Sequence, residues 1–243
     1  MVQDPVCLMS IEPKRAAAMA VHAGKTYYFC SDKCQQKFRQ SPEIYLHKTS
    51  ALRLTVGVMG AASGGHTQEV KDAAYQLGRV IAKKNLVLIT GACPGLPYEC
   101  ARGGFEVGGM SVGISPALSL DEHVHKYDSP SDVYDVIIYT GSGLMGREVT
   151  NIRSSDMVVV VGGSSGTLGE FAIAYDEGKL IGVLEGSGGI AEQLPQLVES
   201  LKKDTGARLV YNADPLHLIE ELEQTYSMHH FHKPSCFCKG GAV

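Results

Sequence analysis

No stretch of about 18 apolar residues runs through these 243 residues, so the sequence carries no candidate transmembrane helix. A basic start followed by an apolar run is also missing, which argues against a secretory signal. There is no basic excess either: the formal net charge is -4, which speaks against general nucleic-acid binding. Low-complexity segments and internal repeats are absent. These absences lead to the expectation of a cytoplasmic protein without membrane or nucleic-acid partners. Cysteines stay reduced in that compartment, so clustered thiols are read as metal ligands or reactive groups before disulfides.

What is present divides the chain into three parts. Residues 1–47 hold Cys7, Cys30 and Cys34. Residues 52–226 alternate apolar strands with helical segments. Residues 227–243 form a tail with His229, His230, His232, Cys236 and Cys238. The alternation predicts an α/β fold, a mostly parallel Rossmann-like sheet with helices on both faces, plus the small Cys-containing module.

The most informative stretch is 157–170. Met157 and Val158–Val161 read as a strand buried on both faces. Gly162, Gly163, Ser164, Ser165, Gly166 and Thr167 read as a loop rich in N–H and hydroxyl donors. A helix is expected from Leu168, with Glu170 in its first turn. Strand, Gly/Ser loop and helix present free N–H groups and a positive helix end to a phosphate. Two further strands end in similar loops, at Gly60–Ser63 and at Gly91–Gly95. In a parallel sheet these loops converge at the C-terminal strand ends, where ligands bind. Gly60, Ser63, Gly91 and Gly95 therefore join the candidate binding residues, with Tyr98, Glu99 and Arg102 expected to line the same crevice.

Arg147 in Gly-Leu-Met-Gly-Arg and Glu170 in Gly-Gly-Ser-Ser-Gly-Thr-Leu-Gly-Glu resemble the LONELY GUY (LOG) superfamily over residues 52–225. Typical members are homodimeric phosphoribohydrolases of nucleoside 5'-monophosphates. The resemblance implies catalytic roles for Arg147 and Glu170, a phosphate loop at Gly163, Gly166 and Thr167, and a homodimer or higher oligomer. The sequence departs from that pattern at Gly162 for Pro, Ser164 for Gly, Glu148 for a basic residue and Gly169 for Glu. These departures point toward the molybdenum-cofactor carrier branch, whose members need not hydrolyse anything. Three readings stay open here: a carrier or sensor of a phosphorylated nucleotide or pterin cofactor, an N-glycosidic phosphoribohydrolase, and an α/β scaffold with a degenerate pocket and a structural N-terminal cap. The plain alternatives are a surface cation for Arg147 and a helix-end carboxylate for Glu170.

Residues 2–47 are similar to a YHS domain, a relative of the TRASH metal-binding modules, through Asp-Pro-Val-Cys-Leu-Met and Tyr-Tyr-Phe-Cys-Ser-Asp-Lys-Cys. A module this small has little core of its own, and a bound metal supplies folding free energy. Three thiolates suit copper or zinc. The Cys30–Cys34 spacing suits one helical turn with both thiols on one face. Met9, His22, a water or a tail residue are candidates for a fourth ligand. The plain alternative is three small buried hydrophobes. Cys93 is read as a small residue at a turn, reactive only if a helix end lowers its pKa. His123 and His125 are expected on a solvated face.

Overall fold

The computed structural model describes residues 2–7, 9–42, 45 and 53–230. His232, Cys236 and Cys238, the side chains of His229 and His230, and the Lys48-Thr49-Ser50 link lie outside the described residues. The chain forms two compact units, Met1–Leu52 and Arg53–Val243.

In the small unit, β1 (Val2–Gln3) pairs antiparallel with β2 (Ser10–Ile11), and β3 (Ala18–His22) pairs with β4 (Lys25–Phe29) as a hairpin. The hairpin turn is Ala23-Gly24, both at positive φ, the geometry that a two-residue connection requires. Helix α1 (Asp32–Gln40) follows, with the Ser31 side chain accepting from the Cys34 N–H as N-cap. Phe38 on α1 is buried against Phe29, with ring centroids 5.1 Å apart. Cys30 precedes that N-cap, so Cys30 and Cys34 do not share a helical turn, contrary to the spacing argument. Cys30 directly follows β4, and Cys34 lies in the first turn of α1.

The large unit carries a seven-stranded sheet, and every neighbouring pair in it is parallel. In chain order the strands are β5 (Thr55–Gly60), β6 (Val87–Thr90), β7 (Met110–Ser115), β8 (Val136–Tyr139), β9 (Met157–Val161), β10 (Leu180–Leu184) and β11 (Arg208–Asn212). Their spatial order is β11-β10-β9-β5-β6-β7-β8. The valine run of β9 sits between β5 and β10 and is buried along its whole length, as a strand covered on both faces must be.

Helices α2 (Gln68–Lys83), α3 (Leu96–Phe105) and α7 (Pro215–Thr225) contribute to the core on one face, with Leu77, Ile81, Leu96 and Leu218. The opposite face is covered by α4 (Gly143–Arg153), α5 (Ser165–Asp176) and α6 (Leu194–Leu201), through Ile152, Phe171, Ala174 and Leu194. The strand order reverses between β5 and β9, so a crevice opens there beyond the strand ends. Among the described residues no helix is long and apolar enough to cross a membrane.

Candidate functional site

Helix α5 begins at Ser165, three residues earlier than the apolar spacing suggested. The loop is correspondingly short: Gly162 and Gly163 turn the chain at φ values of +60° and +96°, which a side chain would strain. Ser165, Gly166 and Thr167 are therefore the first helical residues rather than loop. The first helical bond runs from the Leu168 N–H to the Ser164 carbonyl at 2.9 Å, so the three N–H groups ahead of it lie outside the ladder. No side chain caps this end.

These residues border a cavity of about 120 Å³ at the β5/β9 reversal. Gly60 and Ser63 after β5, Gly91 and Cys93 after β6, Arg147 and Glu148 on α4, and Ser164, Gly166, Thr167 and Glu170 on α5 all line it. A second cavity of about 260 Å³ adjoins it, lined in part by Gly162, Gly163 and Ser164, and shares Ala61, Ser63 and Ser164 with the first. Gly95 and Ser165 line neither. Gly95 is needed for packing instead: its φ is +80°, the Leu96 N–H bonds the Ala61 carbonyl, and a Cβ on Gly95 would collide with that oxygen. Tyr98, Glu99 and Arg102 do not line the cavity either. Tyr98 donates to Asp132, and Arg102 pairs with Glu99 at 2.7 Å and covers the Tyr75 ring.

Arg147 does not clasp Glu170. Its Nη1 donates to the Gly91 carbonyl, with the Ile114 carbonyl at 3.4 Å, while its buried Nε has no hydrogen-bond partner. A Cβ at Gly91 would strike this guanidinium, which explains glycine there. The group that holds Glu170 is Asn151, whose Nδ2 donates to Oε1 at 3.3 Å and whose Oδ1 is buried without a partner. Asn151 was missed from the sequence. It lies four residues after Arg147 on α4, one turn along the same face, and that spacing was the available signal.

Glu170 sits in the second turn of α5 and is buried, so it is not a helix-end carboxylate. Burial pushes its pKa up to about 7 and Glu148 adds to the rise, against the opposing pull of Arg147 and the Asn151 hydrogen bond. Burial also raises the pKa of Glu148, with Arg147 opposing. Two departures from the LOG pattern meet here. A Cβ on Gly169 would stand 3.0 Å from Glu148 Oε2, so a carboxylate from α4 lies beside the position where α5 has glycine. Burial raises the Cys93 thiol as well, with Arg147 only partly opposing, so Cys93 is not an activated thiol. His123 is fully buried and bonds Ser115 Oγ at 2.9 Å and the Pro130 carbonyl at 3.0 Å, a core histidine rather than a solvated one. His125 is exposed beside Asp121.

In the small unit, Cys7 Sγ lies 3.4 Å from Cys30 Sγ, which lies 3.7 Å from Cys34 Sγ. Tetrahedral thiolates about 2.3 Å from a zinc ion stand about 3.8 Å apart, so these two separations lie within a few tenths of an ångström of what a metal would require. The sequence reading missed Asp4, whose carboxylate lies with the three sulfurs inside a 4.8 Å group. His22 is not in that group; its ring packs edge-on against Phe38. Desolvation within the cluster pushes the Cys7 thiol above its ordinary value, and the neighbouring Cys30 and Asp4 add to the rise, which a bound cation would oppose.

The profile of the SLOG cluster4 family matches residues 53–219, and that of the YHS domain residues 2–49. An uncharacterized protein of Archaeoglobus fulgidus is 37% identical over 132 residues, 54% of this chain and 80% of that protein. A copper-transporting P-type ATPase of Rhizobium leguminosarum bv. viciae is 42% identical over 45 residues, 18% of this chain and 5% of the ATPase. Among solved structures, the molybdenum cofactor binding protein of Rippkaea orientalis is 28% identical with a TM-score of 0.59, covering 72% of this chain and 98% of its own. The molybdenum cofactor carrier protein of Chlamydomonas reinhardtii is 28% identical with a TM-score of 0.57, covering 71% and 98%.

Proposed function

This chain belongs to the SLOG cluster4 family and carries a YHS domain, and we propose that its large unit binds a phosphorylated nucleotide or pterin-type cofactor without turning it over, as a carrier or sensor. The observation that carries this reading is the convergence at the β5/β9 crevice of the uncapped start of α5 and the unpartnered Nε of Arg147. Both are donors, and both favour an anionic group. The N–H groups of Ser165, Gly166 and Thr167 would receive the phosphate. Arg147, anchored on the Gly91 and Ile114 carbonyls, keeps Nε for the ligand. The first cavity is smaller than the ~300 Å³ of an ordinary small-molecule site, so the adjoining one takes the rest of the ligand. The molybdenum-cofactor proteins among the solved neighbours support the pterin form of this reading.

Glu170 bears on turnover. Burial lifts its pKa to about 7, and the pull of Arg147, which is hydrogen-bonded to backbone carbonyls, offsets that rise only in part. The same position favours a second reading, the N-glycosidic phosphoribohydrolase, because a general base is most effective when its pKa lies near the working pH. The two small-molecule readings share one binding site. In the small unit, Cys7, Cys30 and Cys34 would hold copper or zinc. Self-association is part of this proposal; Leu144 and Met145, 58% and 69% exposed just before Arg147 on α4, would lie in that contact.

Two measurements separate the readings. Mass spectrometry of the small molecules released on denaturing freshly purified protein should find an intact phosphorylated compound. Incubation with AMP should return AMP unchanged. Rapid release of adenine that disappears in Glu170→Ala replaces the carrier with the hydrolase, and absence of both a co-purified ligand and AMP binding removes both.

A further inference from the structure

We propose that Asp4 is the positioning residue of the thiol cluster: its carboxylate binds the backbone that carries Cys7 and Cys30 and does not enter the coordination sphere of the metal. The inference rests on the reading that the small unit holds a soft metal ion.

Asp4 is fully buried, and both of its oxygens are engaged with backbone. Oδ1 accepts from the Val6 N–H at 2.8 Å, with the Cys7 N–H at 3.4 Å. Oδ2 accepts from the Cys30 N–H at 2.8 Å, joining two segments 26 residues apart. The Asp4 N–H bonds the Met9 carbonyl at 2.9 Å and closes the loop that presents Cys7. Ser31 serves Cys34 in the same manner, its hydroxyl accepting the Cys34 N–H at 3.3 Å. Every cysteine of the cluster thus has its backbone N–H held by a side chain, and Asp4 holds two of the three.

Swinging the carboxylate far enough to place an oxygen on the metal would break the 2.8 Å bonds that hold the Val6 and Cys30 N–H groups, and those part-buried donors would lose their partner. Thiolates also outcompete a carboxylate for a soft ion. The three sulfurs then form the whole ligand set among the described residues. Cys7 is the exposed member of the three, so solvent would reach a metal held by them from its side.

The test is an anaerobic cobalt(II) titration of the full chain, wild type against Asp4→Asn. The amide keeps one acceptor oxygen and loses the other. The expected result is unchanged positions of the thiolate-to-cobalt and d–d bands at saturation, with an affinity about 10- to 100-fold weaker, the usual effect of removing a group that orients ligands. A shift of the d–d bands in Asp4→Asn makes Asp4 a ligand and overturns the proposal, and so does an unchanged affinity. Should the variant fail to fold, the wild type decides by amide exchange. The N–H groups of Val6 and Cys30 should stay protected both metal-free and zinc-loaded. Loss of their protection on loading overturns the proposal. A wild type that shows no thiolate-to-cobalt band removes the metal reading itself, and this inference with it.

Discussion

The small unit buries three hydrophobic side chains among its described residues, Ala20, Phe29 and Phe38, whereas the large unit packs separate apolar clusters on the two faces of a seven-stranded sheet. The two therefore depend on different physics. In the large unit, burial of Leu, Ile, Val and Phe supplies the stability. Its polar groups at the β5/β9 reversal are left with incomplete partners, Arg147 Nε and Asn151 Oδ1 among them. In the small unit polar groups do the structural work: one carboxylate, one hydroxyl and three thiols draw a strand end, a loop and a helix start together. A region with a surplus of core can keep unsatisfied donors for a ligand. A region without one would gain most from a ligand such as the metal proposed for it.

Metal removal should break this comparison most visibly. Chelation under reducing conditions is expected to withdraw on the order of 10 kcal/mol from the small unit, the scale of a structural thiolate site, and to leave the large unit intact. Calorimetry should show two transitions, of which only the smaller disappears with chelator. A single transition unaffected by chelation would place the small unit's stability in its apolar core.

The second test lies in the large unit and concerns a polar group stranded by burial. The folded pKa of Glu170, about 7, stands above its ordinary 4.5. The native state therefore holds this proton more tightly than the unfolded chain does. The associated stability is complete below the ordinary carboxylate range and is lost as pH rises through about 7. Glu170→Gln cannot ionise, so its stability relative to wild type should rise with pH. The gain should be near zero around pH 4 and reach about 3 kcal/mol above pH 8. Denaturant melts at a series of pH values measure it; a flat difference would mean that Glu170 ionises as freely folded as unfolded.

The smallest effect sharpens the boundary of the binding site. Arg102 pairs with Glu99 on the surface, 43% exposed, and does not line the cavity. Arg102→Ala should cost less than about 1 kcal/mol in a thermal melt and leave AMP binding by calorimetry unchanged. A marked loss of binding would bring α3 into the ligand site.

The valine run of β9 could be read directly, because consecutive β-branched residues bounded by a Gly/Ser turn fit a strand covered on both faces. The Gly/Ser loops after β5, β6 and β9 could be read for a related reason: in a parallel sheet their strands all end at the same edge. The three cysteines were visible as a set, although their helical-turn geometry was not the one adopted. Asp4 was hidden because nothing in Asp-Pro-Val-Cys says that its partner N–H belongs to Cys30. His123 was hidden because a histidine among acidic residues looks solvated until Ser115 and Pro130 close on it.

Residue types and short-range spacing by themselves determined the alternation of strands and helices, the parallel sheet with its donor-rich edge, and the separation of a small cysteine-bearing part from the α/β part. Tertiary structure alone decided which polar groups meet: Glu170 with Asn151, Glu148 over Gly169, Asp4 with Cys30. The physical reason is range. Backbone propensity and apolar periodicity act over one turn or one strand, whereas desolvation and hydrogen bonding are set by whatever group the folded chain brings within about 3 Å.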